Sequence, residues 1–438
     1  MQGRPTHRAD SGRWWQDAVF YRISPRSFAD SSGNGVGDLE GVRQRMGYLE
    51  LLGIDGIWLT AVLRGPVTGT SSDGHAVDPL LGDVEVLERL VAEAHASGIR
   101  VAIDLVVSRH DLGSAGNTAE LLSAVRFWLD RGVDGFRVCA APGVVAPADD
   151  AVREIVSTVR PALDEHPDAV LGAFVDGAWY RGEQASGLDV GVDVRFGDVS
   201  WDGDELAEAI EAVLADVRAG GLAPVWGRVT RDQFHPVTRY GSGAPGVARA
   251  RAMLLVKLAL PGAVGLENSE ELGIPDADLP GRAGNDPMSG LMPWEGTEPP
   301  FGFSDAPGSW WPITEAWAPY TVEAQLEDPG STLSLYRTAL ELGRRHDGFR
   351  GSDVEWYDGP PGCFAFSRTD SPLTCALNAS GASVPLPSGE VLLASSPLEG
   401  QQLPDDTAVW LVTSAAAAER ADAAGPPRSG SPGGSTTP

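Results

Sequence analysis

A short apolar run in the first half of the chain ends in two side chains that could do chemistry. An amphipathic segment, Glu120–Arg131, leads into the run Gly135–Val138, and Arg137 and Cys139 lie at its end. A strand that follows a helix and ends in polar or reactive side chains is how a parallel α/β barrel presents an active site. The pattern therefore predicts that Arg137 and Cys139 belong to a functional site.

Two interpretations of Cys139 are open from the sequence. Beside Arg137, and with His110 or His235 nearby, the pKa of the thiol would be lowered and the thiolate could act as a nucleophile. Alternatively, Cys139 is a small buried side chain that fills space, as inert cysteines commonly do. The sequence does not place either histidine within reach of Cys139, so both interpretations stand.

The surrounding elements alternate between strands and helices. Apolar runs predict eight strands, at Val19–Ile23, Gly56–Leu59, Val101–Val107, Gly135–Val138, Val170–Phe174, Val190–Val194, Pro224–Val229 and Ala263–Leu266. Segments with apolar residues at helical spacing lie between them, among them Val84–Ser97, Ala151–Leu163, Asp204–Ala219 and Val247–Leu260. Eight such units over roughly 250 residues predict an α/β protein, with a (β/α)8 TIM barrel over residues 14–350.

The pattern changes near residue 351 to short strands separated by Gly and Pro. These strands are predicted at Val354–Tyr357, Cys363–Ser367, Leu373–Asn378, Val391–Ala394 and Ala408–Val412. They predict a C-terminal antiparallel β-sandwich domain over residues 351–413. Residues 1–13 are polar, and residues 414–438 are mainly Ala, Gly, Ser and Pro, so we expect a flexible N-terminus and a disordered tail.

Composition limits the partners and the compartment. The 438 residues include 33 basic and 61 acidic side chains, a formal net charge of −28, which argues against nucleic acid or an anionic membrane as partner. The sequence has no run of about 18 apolar residues and no apolar leader segment near its start. Three cysteines show neither metal spacing nor disulfide density. These features predict a reduced, cytoplasmic protein that requires no cofactor.

Several ordered segments resemble the α-amylase superfamily of glycoside hydrolases (family 13), and within it the α-glucosidase and oligo-1,6-glucosidase branch. The run Gly135-Phe-Arg-Val-Cys139 is similar to the family's fourth-strand motif Gly-Phe-Arg-x-Asp. Other similar segments are Trp14–Phe28, Tyr48–Leu59, Leu260–Gly262, Glu270–Gly273, Met292–Trp294 and Asp405–Leu411. The resemblance implies the same barrel with a C-terminal sandwich, and an α-glucoside or oligosaccharide as ligand.

The resemblance also implies that the catalytic groups have been lost. Retaining glycoside hydrolysis needs a carboxylate nucleophile and a second carboxyl as acid/base, about 5 Å apart. Cys139 takes the place of the nucleophile, and the segment Leu171-Gly-Ala-Phe174 puts Ala173 at the expected acid/base position. Of the family's third motif only the aspartate, Asp232, is retained, within Thr230-Arg-Asp232.

Five residues remain as candidate substrate-binding groups under this resemblance: Asp104, Arg137, His110, Arg231 and His235. An Arg137–Asp104 pair across neighbouring strands could instead serve to hold the barrel top together. The family's domain B, which walls one side of the sugar cleft, is reduced to a short loop at Asp111–Thr118.

A Gly-rich loop after the first strand resembles the family's calcium loop. Its possible oxygen ligands are Asp30, Ser32, Asn34, the carbonyl of Val36, and Asp38. Two of these positions are neutral side chains, so weak Ca²⁺ binding and a purely structural turn are both open. Similarly, Trp310 and Trp311, with Trp294 and Trp317, form either a sugar-stacking surface or part of the core.

Three functions follow as hypotheses. The first is a catalytically inactive homologue of carbohydrate metabolism with a binding or regulatory role, such as partnering an active paralogue. The second is residual or altered hydrolase or transglycosylase chemistry that uses Cys139 or Asp232. The third is a protein-interaction scaffold that does not depend on sugar.

Overall fold

The computed structural model describes residues 13–65, 73–106, 115–139, 150–180, 187–220, 222–227, 234–276, 290–306 and 308–412. Several predicted features lie outside these residues: His110, Arg231, Asp232, the first half of the loop predicted at 111–118, and the predicted tail. Within them the chain forms a closed barrel of eight parallel strands followed by an antiparallel C-terminal domain.

The barrel strands confirm the TIM-barrel prediction. Their bounds are β1 Val19–Ile23, β2 Gly56–Leu59, β5 Arg100–Val106, β6 Gly135–Cys139, β7 Val170–Val175, β8 Val190–Asp193, β9 Ala223–Trp226 and β10 Ala263–Glu267. Neighbouring strands follow the order β1-β10-β9-β8-β7-β6-β5-β2, and β2 pairs with β1 to close the sheet. All eight predicted strands are present. Where a predicted strand end falls within the described residues, the observed end lies within one or two residues of it.

Helices cover the outside of the barrel. Their bounds are α1 Pro25–Phe28, α2 Leu39–Gln44, α3 Met46–Leu52, α4 Val84–Ala96, α5 Ala115–Leu129, α6 Asp150–Asp164, α7 Gly177–Tyr180, α8 Val194–Asp198, α9 Gly203–Gly220, α10 Pro236–Arg239, α11 Gly243–Ala259, α12 Val322–Leu326 and α13 Thr332–Arg345. Short segments of 3-10 helix occupy Glu270–Leu272, Glu315–Tyr320 and Asp347–Phe349. No helix in this part of the chain is long and apolar enough to cross a membrane.

The pleat of each barrel strand separates an inner layer from an outer layer. The inner layer is a cluster that includes Phe20, Trp58, Val170 and Phe174. The outer layer packs against the helices as part of the main hydrophobic core. A Cβ atom at Gly172 would lie 2.7 Å from the Trp58 ring, so only glycine at that position lets the indole fill the barrel.

Two strand pairs are additional to the prediction. A hairpin of β3 Leu63–Arg64 and β4 Asp73–Val77 follows β2, and the Trp128 indole N–H donates a hydrogen bond to the carbonyl of Gly74. A two-stranded ribbon of β14 Val384–Pro385 and β16 Gln402–Leu403 lies in the C-terminal domain. β3, β14 and β16 are two residues long, which is too short to produce a recognisable alternation in the sequence.

The C-terminal domain is built on a five-stranded antiparallel sheet, and a different element of the same chain packs on each face of the sheet. Its strands are β11 Val354–Tyr357, β12 Cys363–Arg368, β13 Leu373–Asn378, β15 Glu390–Ala394 and β17 Thr407–Val412, in the order β11-β12-β13-β17-β15. One face packs on the β14–β16 ribbon through Val409, Leu411 and Leu403. The other docks on α11, where the Trp410 indole N–H donates to the carbonyl of Leu255 at 3.0 Å.

A buried polar network joins the barrel to the helices. The Glu271 carboxyl accepts hydrogen bonds from the hydroxyl groups of Tyr21, on β1, at 2.8 Å, and of Tyr48, on α3. The neighbouring Glu270 carboxylate lies 2.7 Å from the Lys257 ammonium of α11. Lys257 is the single lysine of the sequence and is almost fully buried.

The buried Glu271 carboxyl should make the free energy of unfolding depend on pH. Burial raises its pKa from 4.5 to about 7, against the opposing effect of the tyrosine hydrogen bonds. Because the folded protein holds a proton that the unfolded chain releases, the stabilisation is fully present below pH 4.5 and is lost as the pH rises through 7. We expect the free energy of unfolding to fall by up to about 3 kcal/mol from this group over that range.

Urea unfolding of the parent and of Glu271→Gln at several pH values measures this effect. The difference in unfolding free energy between the two proteins isolates Glu271, because every other carboxyl is common to both. A difference that does not change between pH 4.5 and pH 8 would contradict the raised pKa.

Candidate functional site

The carboxyl ends of the eight strands meet at one rim, which is where barrel active sites lie. Six inward-facing side chains stand there: Arg22 on β1, Asp104 on β5, Arg137 and Cys139 on β6, Phe174 on β7 and Glu267 on β10. Three of the six, Asp104, Arg137 and Cys139, were candidates from the sequence. Arg22, Phe174 and Glu267 were missed, although each is an inward position at a predicted strand end.

Asp104 and Arg137 form a closed ion pair. They are register partners on β5 and β6, and Nε and Nη2 of Arg137 donate to the two carboxylate oxygens of Asp104 at 2.8 and 2.7 Å. Both side chains are about 6% exposed. The guanidinium carbon lies 5.4 Å from the Trp58 ring centroid and 4.8 Å from that of Phe174. This geometry supports the structural alternative, because the pair leaves little polar surface for a ligand.

Cys139 is a neutral thiol. Its side chain is buried, and burial, aided by the Asp104 charge, raises its pKa to about 12 against the weaker opposing effect of Arg137. The S–H group lies 3.7 Å from the carbonyl oxygen of Arg137. Arg137 lowers the thiol pKa, as one interpretation expected, but the loss of solvation outweighs this effect and the net pKa is raised.

Ala173, the expected acid/base position, does not face the barrel interior. Ala173 faces outward and packs in the layer between strands and helices, whereas Phe174 faces the barrel interior. Val138 pairs with Ala173, so the next residues, Cys139 and Phe174, are the neighbours that point into the rim. The position from which a carboxyl could reach the nucleophile position is therefore Phe174, not Ala173, because successive strand residues point to opposite faces.

His235 does not have a free ring nitrogen. Its Nδ1 lies 2.8 Å from a carboxylate oxygen of Asp276, and its Nε2 lies 3.0 Å from the Ser269 hydroxyl. The side chain is 7% exposed. The prediction that His235 binds substrate is therefore not supported by its contacts, which satisfy both nitrogens internally.

Arg22 and Glu267 form the more open ion pair of the rim. Nε of Arg22 donates to a carboxylate oxygen of Glu267 at 2.6 Å, and the side chains are 21% and 15% exposed. Next to Glu267, the side-chain oxygen of Asn268 is buried and has no hydrogen-bond partner among the residues that the structure describes. Arg22 and Glu267 are therefore partly exposed polar side chains among the described residues of the rim.

The chain between β5 and β6 has no room for a domain B. β5 ends at Val106 and α5 begins at Ala115, so only residues 107–114 separate the third barrel strand from the next helix. The candidates His110, Arg231 and Asp232 fall outside the described residues, and their roles stay predictions.

The loop after β1 uses its oxygens internally. The Asp30 carboxylate accepts hydrogen bonds from the Ser304 hydroxyl at 2.6 Å and from the backbone N–H groups of Ser32, Gly33 and Gly35 at 2.7–3.0 Å. Burial raises the pKa of Asp30, and these hydrogen bonds outweigh it, so the net pKa is lowered.

Two further members of the same loop are also engaged. Asp38 caps α2 by accepting from the N–H of Gly41, and the Asn34 side chain accepts from the N–H of Val36. Within the described part of the chain, no group of three or more His, Cys, Asp or Glu side chains is placed to hold a metal ion. Calcium binding by Asp30, Ser32, Asn34, Val36 and Asp38 stays a prediction, and the contacts of the loop support the structural turn.

Three of the four tryptophans considered for sugar stacking are in the core. Trp294, Trp311 and Trp317 are 5% exposed or less. Trp310 is half-buried, and its indole N–H donates to the carbonyl of Arg26 at 2.6 Å. The core alternative therefore holds for Trp294, Trp311 and Trp317.

Sequence comparison finds glucosidases. A family model described as alpha amylase, catalytic domain, matches residues 22–111. A probable alpha-glucosidase of Rhizobium meliloti (strain 1021) is 27% identical, over 81% of this chain and 87% of that protein. An oligo-1,6-glucosidase of Heyndrickxia coagulans is 44% identical over 98 residues, which are 22% of this chain and 18% of that enzyme.

Structural comparison agrees on the fold. The crystal structure of the alpha-glucosyl transfer enzyme XgtA superposes with a TM-score of 0.76 and 24% identity, covering 91% of this chain and 99% of that one. A likeness at this identity shows a shared fold and leaves the activity open.

Proposed function

Because the chain belongs to the α-amylase superfamily, we propose that it is a catalytically silent, α-glucosidase-like protein that binds an α-glucoside or oligosaccharide without hydrolysing it. Such a protein would act in carbohydrate metabolism by sensing or retaining the sugar, or by regulating an active relative that uses the same ligand.

The observation that carries the proposal is the pair of residues at the rim between β6 and β7. Retaining hydrolysis needs two carboxyl groups about 5 Å apart. Cys139 and Phe174 stand next to each other where those groups would be. A thiol with a pKa of about 12 is protonated at neutral pH, and a phenyl ring neither gives nor takes a proton. At these two described positions, neither half of the double displacement has a group to perform it.

Polar groups for ligand binding remain on the opposite side of the rim. The Arg22–Glu267 pair is partly exposed, and both members can bind sugar hydroxyls through charge-assisted hydrogen bonds. The relatives found by sequence carry names that refer to glucosides, which supports α-glucosides as the ligand class. Asp104 and Arg137, which satisfy each other, are proposed to shape the floor beneath the ligand.

Isothermal titration with isomaltose and with maltose, beside a chromogenic assay with p-nitrophenyl α-glucoside, tests the proposal. We expect saturable binding of one disaccharide and no release of nitrophenol above the blank. Arg22→Ala should weaken binding about tenfold, the loss of one charge-assisted hydrogen bond. Arg218→Ala removes a comparable pair with Asp353 far from the rim and should leave affinity unchanged.

Two results would overturn the proposal. Turnover by the parent that disappears in Cys139→Ala would establish a thiol-dependent reaction. Absence of binding at millimolar sugar, with the protein folded, would favour a scaffold that does not use sugar.

A further inference from the structure

Three side chains near the rim form a continuous hydrogen-bonded chain. A carboxylate oxygen of Asp276 lies 2.8 Å from Nδ1 of His235, and Nε2 of His235 lies 3.0 Å from the hydroxyl oxygen of Ser269. His235 precedes α10, Ser269 lies in the turn after β10, and Asp276 is seven residues further along. The chain of contacts therefore ties together two segments that follow neighbouring barrel strands.

The order of the three groups is that of a Ser-His-Asp relay, but the surroundings do not suit a nucleophile. Ser269 is fully buried, and its hydroxyl donates to the carbonyl of Asn268 at 2.5 Å. A Cβ atom at Gly290 would lie 2.9 Å from the His235 ring, so the imidazole is closely covered. Catalysis by this relay needs space beside the hydroxyl for a reacting carbonyl and its oxyanion donors. The packing leaves none.

The backbone conformation of Ser269 indicates a structural role for these contacts. Ser269 has φ 63° and ψ 7°, a left-handed conformation that glycine adopts more easily than serine. Its N–H donates to the Tyr21 hydroxyl at 2.9 Å, and its side chain engages His235. An unfavourable backbone persists where surrounding contacts over-determine it. Serine is therefore held in this turn by bonds on both sides.

Asp276 completes the connection on the α10 side. Its second carboxylate oxygen accepts from the N–H of His235 at 2.8 Å, and its own N–H donates to the Thr238 hydroxyl at 2.7 Å. The carboxylate thus holds both the backbone and the ring of His235. The imidazole is oriented with Nδ1 toward Asp276 and Nε2 toward Ser269.

We propose that Asp276, His235 and Ser269 form a clasp that fixes the end of β10, and that this clasp sets the position of Glu267 and Asn268 at the ligand-binding rim. Ser269 directly follows Asn268, whose carbonyl accepts the serine hydroxyl, so a movement of the turn moves both rim residues. The inference rests on the proposed function for its ligand, and it identifies His235 as a positioning residue rather than one that touches the sugar.

A histidine at the opposite end of the barrel gives a matched control. His95 lies 2.7 Å from Asp134, which directly precedes β6 at the amino-terminal end of the barrel. Titration calorimetry with isomaltose and maltose compares His235→Ala with His95→Ala. We expect the dissociation constant to rise about tenfold in His235→Ala and to stay within about twofold in His95→Ala. Equal effects of the two substitutions on affinity would overturn the clasp.

A second variant and a second readout do not depend on the sugar. Ser269→Gly suits the left-handed backbone and removes only the hydroxyl that His235 contacts. Proton NMR should show a downfield imidazole N–H resonance in the parent that is lost in Asp276→Asn and shifted in Ser269→Gly. Its absence from the parent would overturn the clasp. If the resonance is present and the sugar does not bind, the proposed function has failed and the clasp stands.

A fluorophosphonate probe separates the clasp from a reactive serine. In that reaction the Ser269 oxygen would form a bond to phosphorus, fluoride would leave, and the hydroxyl proton would pass to His235. We expect no adduct by intact mass in the parent, as in Ser269→Gly. A stable adduct at Ser269 that requires His235 would replace the clasp with an accessible nucleophile.

Discussion

Hydrolysis of p-nitrophenyl α-glucoside is expected from the double variant Cys139→Asp, Phe174→Glu, and is not expected from Cys139→Asp, Ala173→Glu. In the first variant both carboxyl groups point into the rim from neighbouring strands. In the second, the new glutamate points into the layer between strands and helices, where Ala173 is 1% exposed. Both variants add one aspartate and one glutamate. They differ in the face of β7 that carries the glutamate.

The expected size of the effect follows from the chemistry that is restored. A positioned general acid contributes on the order of 10²-fold or more in rate, so activity should rise at least that far above the parent's background. The matched variant should lose stability instead, because a buried carboxylate without a partner costs several kcal/mol. Nitrophenol release and the urea midpoint, measured on the same preparations, separate the two outcomes.

Single variants make the experiment specific. Cys139→Asp alone supplies a nucleophile without an acid, and Phe174→Glu alone supplies an acid without a nucleophile, so each should stay near background. If the first double variant is folded, binds sugar and remains silent, the rim lacks more than its two carboxyl groups. If Ala173→Glu gives the greater activity, the assignment of the two faces of β7 is wrong.

The two faces of β7 show why a sequence predicts the presence of a strand more readily than which of its side chains face inward. The run from Val170 to Phe174 is apolar throughout, as expected for a parallel strand that is buried on both sides. Such a run predicts a strand well, and eight of these runs were sufficient to predict the barrel. It contains no alternation to show which residues face inward, so the sequence could not show that Phe174 rather than Ala173 faces the rim.

Other parts of the site depend on contacts that no local pattern reveals. Arg22 and Glu267 are 245 residues apart and meet only because β1 closes the barrel against β10. The thiol of Cys139 has a raised pKa because the folded barrel removes water from it, and the neighbouring Arg137 in the sequence suggested the opposite. His235 was a candidate from the sequence, but its partners Ser269 and Asp276 follow it by more than thirty residues.

Removing one member of the Asp104–Arg137 pair is expected to cause the largest loss of stability of any single substitution at the rim. Asp104→Ala leaves a buried guanidinium between two aromatic rings without its counter-charge. Breaking a buried ion pair in this way costs about 3–5 kcal/mol in the free energy of unfolding. Urea unfolding at neutral pH measures the loss, and a loss below about 1 kcal/mol would show that solvent reaches Arg137.

Replacing both members should lower the free energy of unfolding far less than replacing one. The double variant also tests whether the pair has a structural role or a ligand-binding role. Asp104→Leu, Arg137→Met replaces the two charges with apolar groups of similar volume, and such exchanges are often neutral or stabilising. The exposed pair of Arg345 with Glu341 is the control, since Glu341→Ala should change stability by about 0.5 kcal/mol or less. If the double variant is stable and still binds sugar, the pair is a structural part of the barrel top. If it is stable and no longer binds, Arg137 and Asp104 orient the ligand, and the binding role first predicted for them is restored.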